Sequence, residues 1–159
     1  MNKWEKLSAD LNKEEAILSL RNTPDNLAKL HQAGLATIIE LESYIAAFGA
    51  LWPTEDDSFL ELGSVWVKKE FRLHKLSSKI FEKLISLIPN NKTVFCITHN
   101  TKVIHLLQKY SWHVVSKEEW DLIVPIQLSC GPCDVTSNHK SCKLKAKLDR
   151  CAMFIYQNN

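Results

Sequence analysis

The sequence lacks any long hydrophobic run, and this absence excludes a membrane-spanning helix. Its longest apolar stretch, from Tyr44 to Trp52, has the length of one strand and falls far short of the roughly 18 apolar residues that cross a bilayer. The segment from Met1 to Asp10 alternates charged and apolar side chains and has no hydrophobic signal region. We therefore expect no membrane partner and a cytoplasmic location, where thiols stay reduced.

The sequence also lacks an excess of charge of either sign. It has 20 Lys and Arg against 18 Asp and Glu, a net charge of +2, so any basic character must be local. We expect no nucleic-acid partner. Repeats and low-complexity tracts are absent, and 159 residues with a 45% apolar fraction suit one globular domain with a real core. We predict a single domain over residues 1–159.

The hydrophobic pattern predicts an α+β protein. Two helices come first, one capped by Ser8 and running to Leu20, the other starting at Thr23-Pro24 and ending at Gly34. Strands separated by two helices follow. They are strands at 36–42, 44–52 and 59–67, a helix with Leu73, Leu76, Ile80, Leu84 and Ile88 on its packed face, a strand at 93–98, a helix capped by Asn100, and strands at 112–115, 122–128 and 152–156.

The order of these elements predicts one mixed sheet. The first three strands are joined so closely that an antiparallel meander is favoured. The strand–helix–strand unit from Phe59 to Thr98 predicts a parallel pair with a right-handed crossover. The fold class that follows is α+β on a mixed sheet.

One segment points to chemistry, because a strand ending at Val67 runs through a short basic turn directly into a helix. The first N–H groups of a helix have no intrahelical partner and carry partial positive charge, so they suit an anion such as a diphosphate. Six basic residues surround this helix start: Lys68, Lys69, Arg72, His74, Lys75 and Lys79. Taken alone, such a segment is also typical of a solvated basic helix start.

This segment resembles the cofactor-binding motif of the GNAT superfamily of N-acetyltransferases. Val67 matches the end of the motif strand and Arg72 matches its leading Arg or Gln, while Lys75 and Ser77 occupy the two glycine positions. A second segment, from Asn100 to Trp112, resembles the family's downstream helix motif. The resemblance covers roughly residues 36–115 and implies a GNAT-like acyltransferase fold, with a mostly antiparallel mixed sheet and helices on both faces.

The resemblance implies acetyl-CoA as cosubstrate and an amine as acceptor. Strand backbone near Val67 would pair with the pantetheine arm, amides of the helix start would cradle the diphosphate, and Asn100 would lie near the arm or the thioester. The residues implied to bind the cofactor are Val65, Trp66, Val67, Arg72, Leu73, His74, Lys75, Leu76, Ser77, Ser78 and Asn100.

The catalytic residues are less clearly marked. The family's frequent general-acid tyrosine falls on Leu107, which has no proton to give, and Tyr110 lies on a similar helix face. Glu61, on the strand before the motif, is the best candidate base, with Glu40, Glu42 or a water chain as alternatives. The alternative interpretations are a packed aromatic residue for Tyr110 and an exposed strand carboxylate for Glu61.

Four cysteines crowd the C-terminal part of the chain: Cys130, Cys133, Cys142 and Cys151. The Cys-x-x-Cys pair aims two thiolates at one point, as tetrahedral Zn²⁺ requires, and His139 is an alternative ligand. We predict a hairpin over residues 130–151 with a structural zinc, because such a polar loop has little core of its own. Disulfides and free thiols are the alternatives. Cys-Gly-Pro-Cys also matches the thioredoxin tetrapeptide, but the helix that lowers the thiol pKa there is not predicted here.

The sequence therefore predicts an N-acetyltransferase that acts on a small-molecule or protein amine. Two other hypotheses stay open. One is a binding module that keeps the fold and has lost catalysis, because both motif glycines and the family tyrosine are replaced. The other is an interaction protein in which the cysteine hairpin is the functional part.

Overall fold

The computed structural model describes residues 1–14, 21–125, 128 and 151–158. These residues form two compact units. The first contains Met1–Trp52 and Leu62–Ile88, and the second contains Pro53–Glu61 and Pro89–Asn159.

The first unit opens with two helices, α1 (Lys3–Leu11) and α2 (Pro24–Gln32). Asn2 caps α1, since its side chain accepts from the amides of Trp4 and Glu5. The prediction that Ser8 caps the first helix is therefore wrong: Ser8 lies inside α1, which ends at Leu11. The second helix is confirmed, with Thr23 Oγ1 accepting from the Asn26 amide and Gly34 beyond the C-terminus at φ 71°.

Three strands follow, β1 (Ala36–Leu41), β2 (Tyr44–Pro53) and β3 (Phe59–Val67), as predicted. The β1–β2 register pairs Ile39 with Ala47 and Glu40 with Ile45, which leaves Ala46 as a bulge. Side chains on one face of these strands pack in a cluster with α1 and α2. Those on the other face, Ala46 and Ala47 among them, pack in a cluster with the helix that follows β3.

That helix is α3 (Leu76–Ser86), and a 3₁₀ turn (Lys69–His74) separates it from β3. Leu76, Ile80 and Leu84 are buried, as the pattern predicts. Leu73 is 96% exposed, so its placement on the packed face is wrong. The period of three and four residues included Leu73 because a 3₁₀ turn and an α-helix share the i, i+3 spacing.

The second unit contains β4 (Thr93–Thr98), α4 (Thr101–Lys109), β5 (His113–Val115), α5 (Trp120–Ile123) and β6 (Ala152–Gln157). Asn100 caps α4 through its side-chain oxygen, which accepts from the Lys102 amide at 3.0 Å. The predicted strand over residues 122–128 is wrong, because a short helix with buried Trp120 occupies its start. Strand β6 pairs instead with β4 and with β5, antiparallel in both cases.

The six strands form one sheet in the order β1-β2-β3-β4-β6-β5. β3 and β4 are parallel, as predicted for the strand–helix–strand unit, while the β1–β2, β4–β6 and β5–β6 pairs are antiparallel. The predicted fold class is confirmed: α+β on a mixed, mostly antiparallel sheet. In the part of the chain described above, no helix is long and apolar enough to cross a membrane.

Candidate functional site

Strand β3 leads into the candidate site and is kinked on the way. Ser64 has φ 57°, which is unusual for a side-chain-bearing residue inside a strand and distorts the backbone as a bulge does. Its hydroxyl donates to Asn22 Oδ1 at 3.2 Å, so the kink is held from the segment before α2. The ladder with β4 joins Phe59–Glu61 to Thr93–Phe95, and β3 continues beyond that ladder from Leu62 to Val67.

The turn after β3 exposes backbone N–H groups. Lys68 still bonds β2, its amide donating to the Ala46 carbonyl at 2.8 Å, and Lys75 then takes the left-handed conformation at φ 53°. α3 begins at Leu76 and, within the described residues, no side chain caps it. The amides of its first turn therefore have no intrahelical acceptor and point away from the helix, as an anion requires.

Lys75 stands at a motif glycine position and keeps the backbone conformation that glycine favours. A left-handed conformation costs a residue with a Cβ about 1–2 kcal/mol relative to glycine. The glycine is therefore replaced without loss of the turn geometry. The Lys75 side chain is exposed, and Ser77 at the second glycine position is half-buried.

Two of the six basic side chains are held by carboxylates of the N-terminal segment. Lys68 Nζ lies 2.8 Å from Asp10 Oδ2, and Arg72 Nη2 lies 2.7 Å from Glu14 Oε1. Arg72 Nε also donates to the carbonyl of Val67 at 3.1 Å, and Trp66 Nε1 donates to the same Glu14 oxygen at 3.3 Å. The other four basic residues, Lys69, His74, Lys75 and Lys79, are exposed around the helix start.

The Asp10–Lys68 pair perturbs both of its partners. The hydrogen bond to Asp10 raises the pKa of Lys68 above 10.5, against a smaller opposing effect of desolvation. Desolvation acts to raise the pKa of Asp10, yet hydrogen bonds and charge from Lys68 and Lys13 together hold that pKa below 3.8. Both groups are therefore charged near neutral pH, and they fix the start of the turn to α1.

The remaining predicted site residues lie in the second unit. Asn100 caps α4, and its side-chain oxygen accepts a hydrogen bond from the Lys102 amide. Leu107, at the family's tyrosine position, is fully buried, while Tyr110 follows the end of α4, is half-buried and has Lys109 Nζ 5.2 Å from its ring centre. Glu61 is half-buried on β3 opposite Phe95.

Most of the predicted metal site lies outside the described residues, including Cys130, Cys133, Cys142 and His139. Cys151 is half-buried and packs against the cluster that contains Phe95 and Trp120. Within the described ranges, no group of three or more His, Cys, Asp or Glu side chains is placed to hold a metal ion.

Sequence reasoning missed the acidic partners of the turn. Asp10 and Glu14 lie 58 residues before Lys68 and Arg72, respectively. No local pattern links such distant residues. The kink at Ser64 had a weak local signal in the preceding Gly63, which is typical of bulges within strands.

The mixed sheet and its helices have the fold of the GNAT acyl-CoA N-acyltransferases, as comparison with solved structures shows. No family model and no curated protein sequence matches the chain. Solved structures do match it. One is a ribosomal-protein-alanine N-acetyltransferase from Brucella melitensis, with 12% identity, a TM-score of 0.60, and coverage of 96% of this chain and 91% of that one.

Two further structures were solved with the cofactor. N-acetylglutamate synthase from Neisseria gonorrhoeae, complexed with coenzyme A and N-acetyl-glutamate, matches 98% of this chain at 12% identity and a TM-score of 0.58. This chain spans only 32% of that protein. A Salmonella typhimurium protein with its cofactor acetyl-CoA matches at 19% identity and a TM-score of 0.55, covering 70% of this chain and 72% of that one. The predicted GNAT fold is thus confirmed.

Proposed function

We propose that this chain is a divergent member of the GNAT superfamily that transfers an acetyl group from acetyl-CoA to a primary amine. The observation that carries the proposal is the uncapped start of α3 behind the left-handed Lys75, with exposed cations around it. The amides of this turn suit the diphosphate of CoA, and the backbone of β3 from Val65 to Val67 suits its pantetheine arm. The neighbours solved with CoA or acetyl-CoA support the same cosubstrate.

The reaction in this proposal is direct attack of a neutral amine on the acyl thioester. The amine nitrogen bonds to the carbonyl carbon, the C–S bond breaks, and the CoA thiolate takes up a proton. Glu61, half-buried on β3, is proposed as the base that accepts the proton of the amine. Tyr110 is proposed as the acid for the thiolate, and Asn100 is proposed to lie near the arm or the thioester.

Isothermal titration with acetyl-CoA tests the cofactor site directly. We expect saturable binding, weakened by added CoA. Absence of binding at millimolar acetyl-CoA would remove the transferase proposal. Release of thiol in the presence of a panel of amines, amino acids and peptides then tests the transfer itself and identifies the class of acceptor.

A catalytically inactive binding module is the second candidate. Leu107 favours this candidate. It stands at the family's tyrosine position, is fully buried, and has no proton to donate to the leaving thiolate. Binding of acetyl-CoA without thiol release in any acceptor panel would support this candidate. Loss of thiol release in Tyr110→Phe, with unchanged binding of acetyl-CoA, would support the enzyme instead.

We also propose that Cys130, Cys133, Cys142 and Cys151 hold a structural zinc ion. The support is the spacing of the thiols, with one close pair followed by two single cysteines. Metal analysis of protein purified without added zinc should give about one zinc per chain. A stoichiometry near zero, together with four thiols that react readily, would contradict the assignment.

A further inference from the structure

The 3₁₀ turn before α3 has little packing to hold it in place. None of its six residues is buried; Phe71 is half-buried against the cluster on the α3 face, and Leu73 is 96% exposed. A turn that contacts so little of the core keeps its shape mainly through hydrogen bonds. Its position therefore depends on the few polar contacts that its side chains make.

Glu14 joins this turn to the N-terminal segment, in addition to the Asp10–Lys68 pair just before the turn. One carboxylate oxygen accepts from Arg72 Nη2 at 2.7 Å and from Trp66 Nε1 at 3.3 Å. Arg72 Nε meanwhile donates to the carbonyl of Val67 at 3.1 Å. Glu14 thus connects a strand residue and a turn residue on either side of Val67, where β3 ends.

We propose that Glu14 is a positioning residue for acetyl-CoA: it keeps the turn in the shape that receives the diphosphate before the cofactor arrives. The inference rests on the proposed function. Arg72 can be held by Glu14 and still have donors for the cofactor, because a guanidinium has five N–H donors and these contacts use only two of them. Glu14 is not proposed as a base, since its Oε1 already accepts hydrogen bonds from Arg72 and Trp66.

Electrostatics and positioning predict opposite signs for removal of Glu14. If the carboxylate acts only by its charge, Glu14→Ala removes a negative group near an anion site and frees Arg72, so acetyl-CoA binds more tightly. If the carboxylate positions the turn, the variant must order the turn during binding, and affinity falls. We expect Glu14→Ala to weaken acetyl-CoA binding about tenfold, the value of one charge-assisted hydrogen bond.

The test is titration calorimetry of acetyl-CoA with wild type, Glu14→Ala, Glu14→Gln and Glu5→Ala. Glu14→Gln keeps an acceptor oxygen without the charge and should recover part of the loss. Glu5→Ala is the matched control, because Glu5 also lies in the N-terminal segment and accepts one hydrogen bond there, from the Asn2 amide at 2.6 Å. This variant should bind acetyl-CoA as wild type does. In a double-mutant cycle, Glu14→Ala should add little to the loss caused by Arg72→Ala.

The possible outcomes distinguish failure of the positioning role from failure of the proposed function. Tighter or unchanged binding by Glu14→Ala, with wild-type binding intact, overturns the positioning role and leaves the proposed function standing. Failure of wild type to bind acetyl-CoA overturns both. Equal weakening in Glu14→Ala and Glu5→Ala points to a general loss of stability and also overturns the role. Thermal unfolding of all four proteins, measured in parallel, identifies this last case.

Discussion

At Lys75, the effect of backbone strain can be measured separately from the effect of the side-chain charge. It adopts φ 53° without the freedom of glycine. We expect Lys75→Gly to be at least as stable as wild type and about 1 kcal/mol more stable than Lys75→Ala, because alanine keeps the Cβ that opposes this conformation. Urea unfolding of the three proteins measures the difference. Equal stability of the two variants would mean that residue 75 is free to leave the left-handed region.

The same pair of variants addresses the missing glycine of the motif. Both remove the lysine charge, so a comparison of their acetyl-CoA affinities isolates the backbone. The sequence showed that the glycine was replaced, but it could not show that the turn was kept, because a φ angle depends on the surrounding chain. The exposure of Leu73 was hidden for a similar reason, since hydrophobic spacing does not reveal where a 3₁₀ turn becomes an α-helix.

Helix α3 packs closely against strand β2 at Gly49. A Cβ built on Gly49 lies 2.4 Å from Leu84 Cδ1, and Leu84 is fully buried and cannot turn into solvent. We expect Gly49→Ala to destabilise the protein by about 1–3 kcal/mol, the usual cost of overpacking. Chemical denaturation is the measurement. The companion variant is Gly49→Ala with Leu84→Ala, whose destabilisation should be smaller than the sum of the two single changes. Strict additivity would show that the two residues do not touch.

Elements were predicted well where a periodic pattern was long. The packed face of α3 follows from a period of about 3.6 residues, and β2 follows from one continuous apolar run. The strand predicted over residues 122–128 was wrong at its start, because the short apolar stretch from Trp120 to Val124 fits either a strand or one turn of helix. Its buried residues, Trp120 and Val124, are four apart, which is helical spacing, but one repeat is too little to decide.

At the scale of the whole molecule, the element order and the motif were enough to predict the fold. The carboxylates that hold the turn after β3 could not be predicted, since Asp10 and Glu14 meet Lys68 and Arg72 only after the chain has folded. The amine acceptor of the proposed reaction is likewise not indicated by any local sequence pattern.

The dependence of global stability on pH follows from the Asp10–Lys68 pair. The pKa of Asp10 is lowered in the folded protein, so its contribution is complete above the unfolded value of 3.8 and is lost as the pH falls through the folded value. The pKa of Lys68 is raised, so its contribution is complete below 10.5 and is lost as the pH rises through the folded value.

Asp10→Asn should therefore lower stability at neutral pH and make the acid limb of the stability curve shallower. It should also make the alkaline limb shallower, because Lys68 then has no carboxylate to hold its proton. Urea unfolding between pH 3 and pH 11 measures both limbs, with the exposed Asp57→Asn as the control. Parallel curves for wild type and Asp10→Asn would contradict the ion pair. A change in the acid limb alone would mean that Lys68 finds another acidic partner, and Glu70, whose Oε1 lies 3.8 Å from Lys68 Nζ, is the carboxylate placed to take that role.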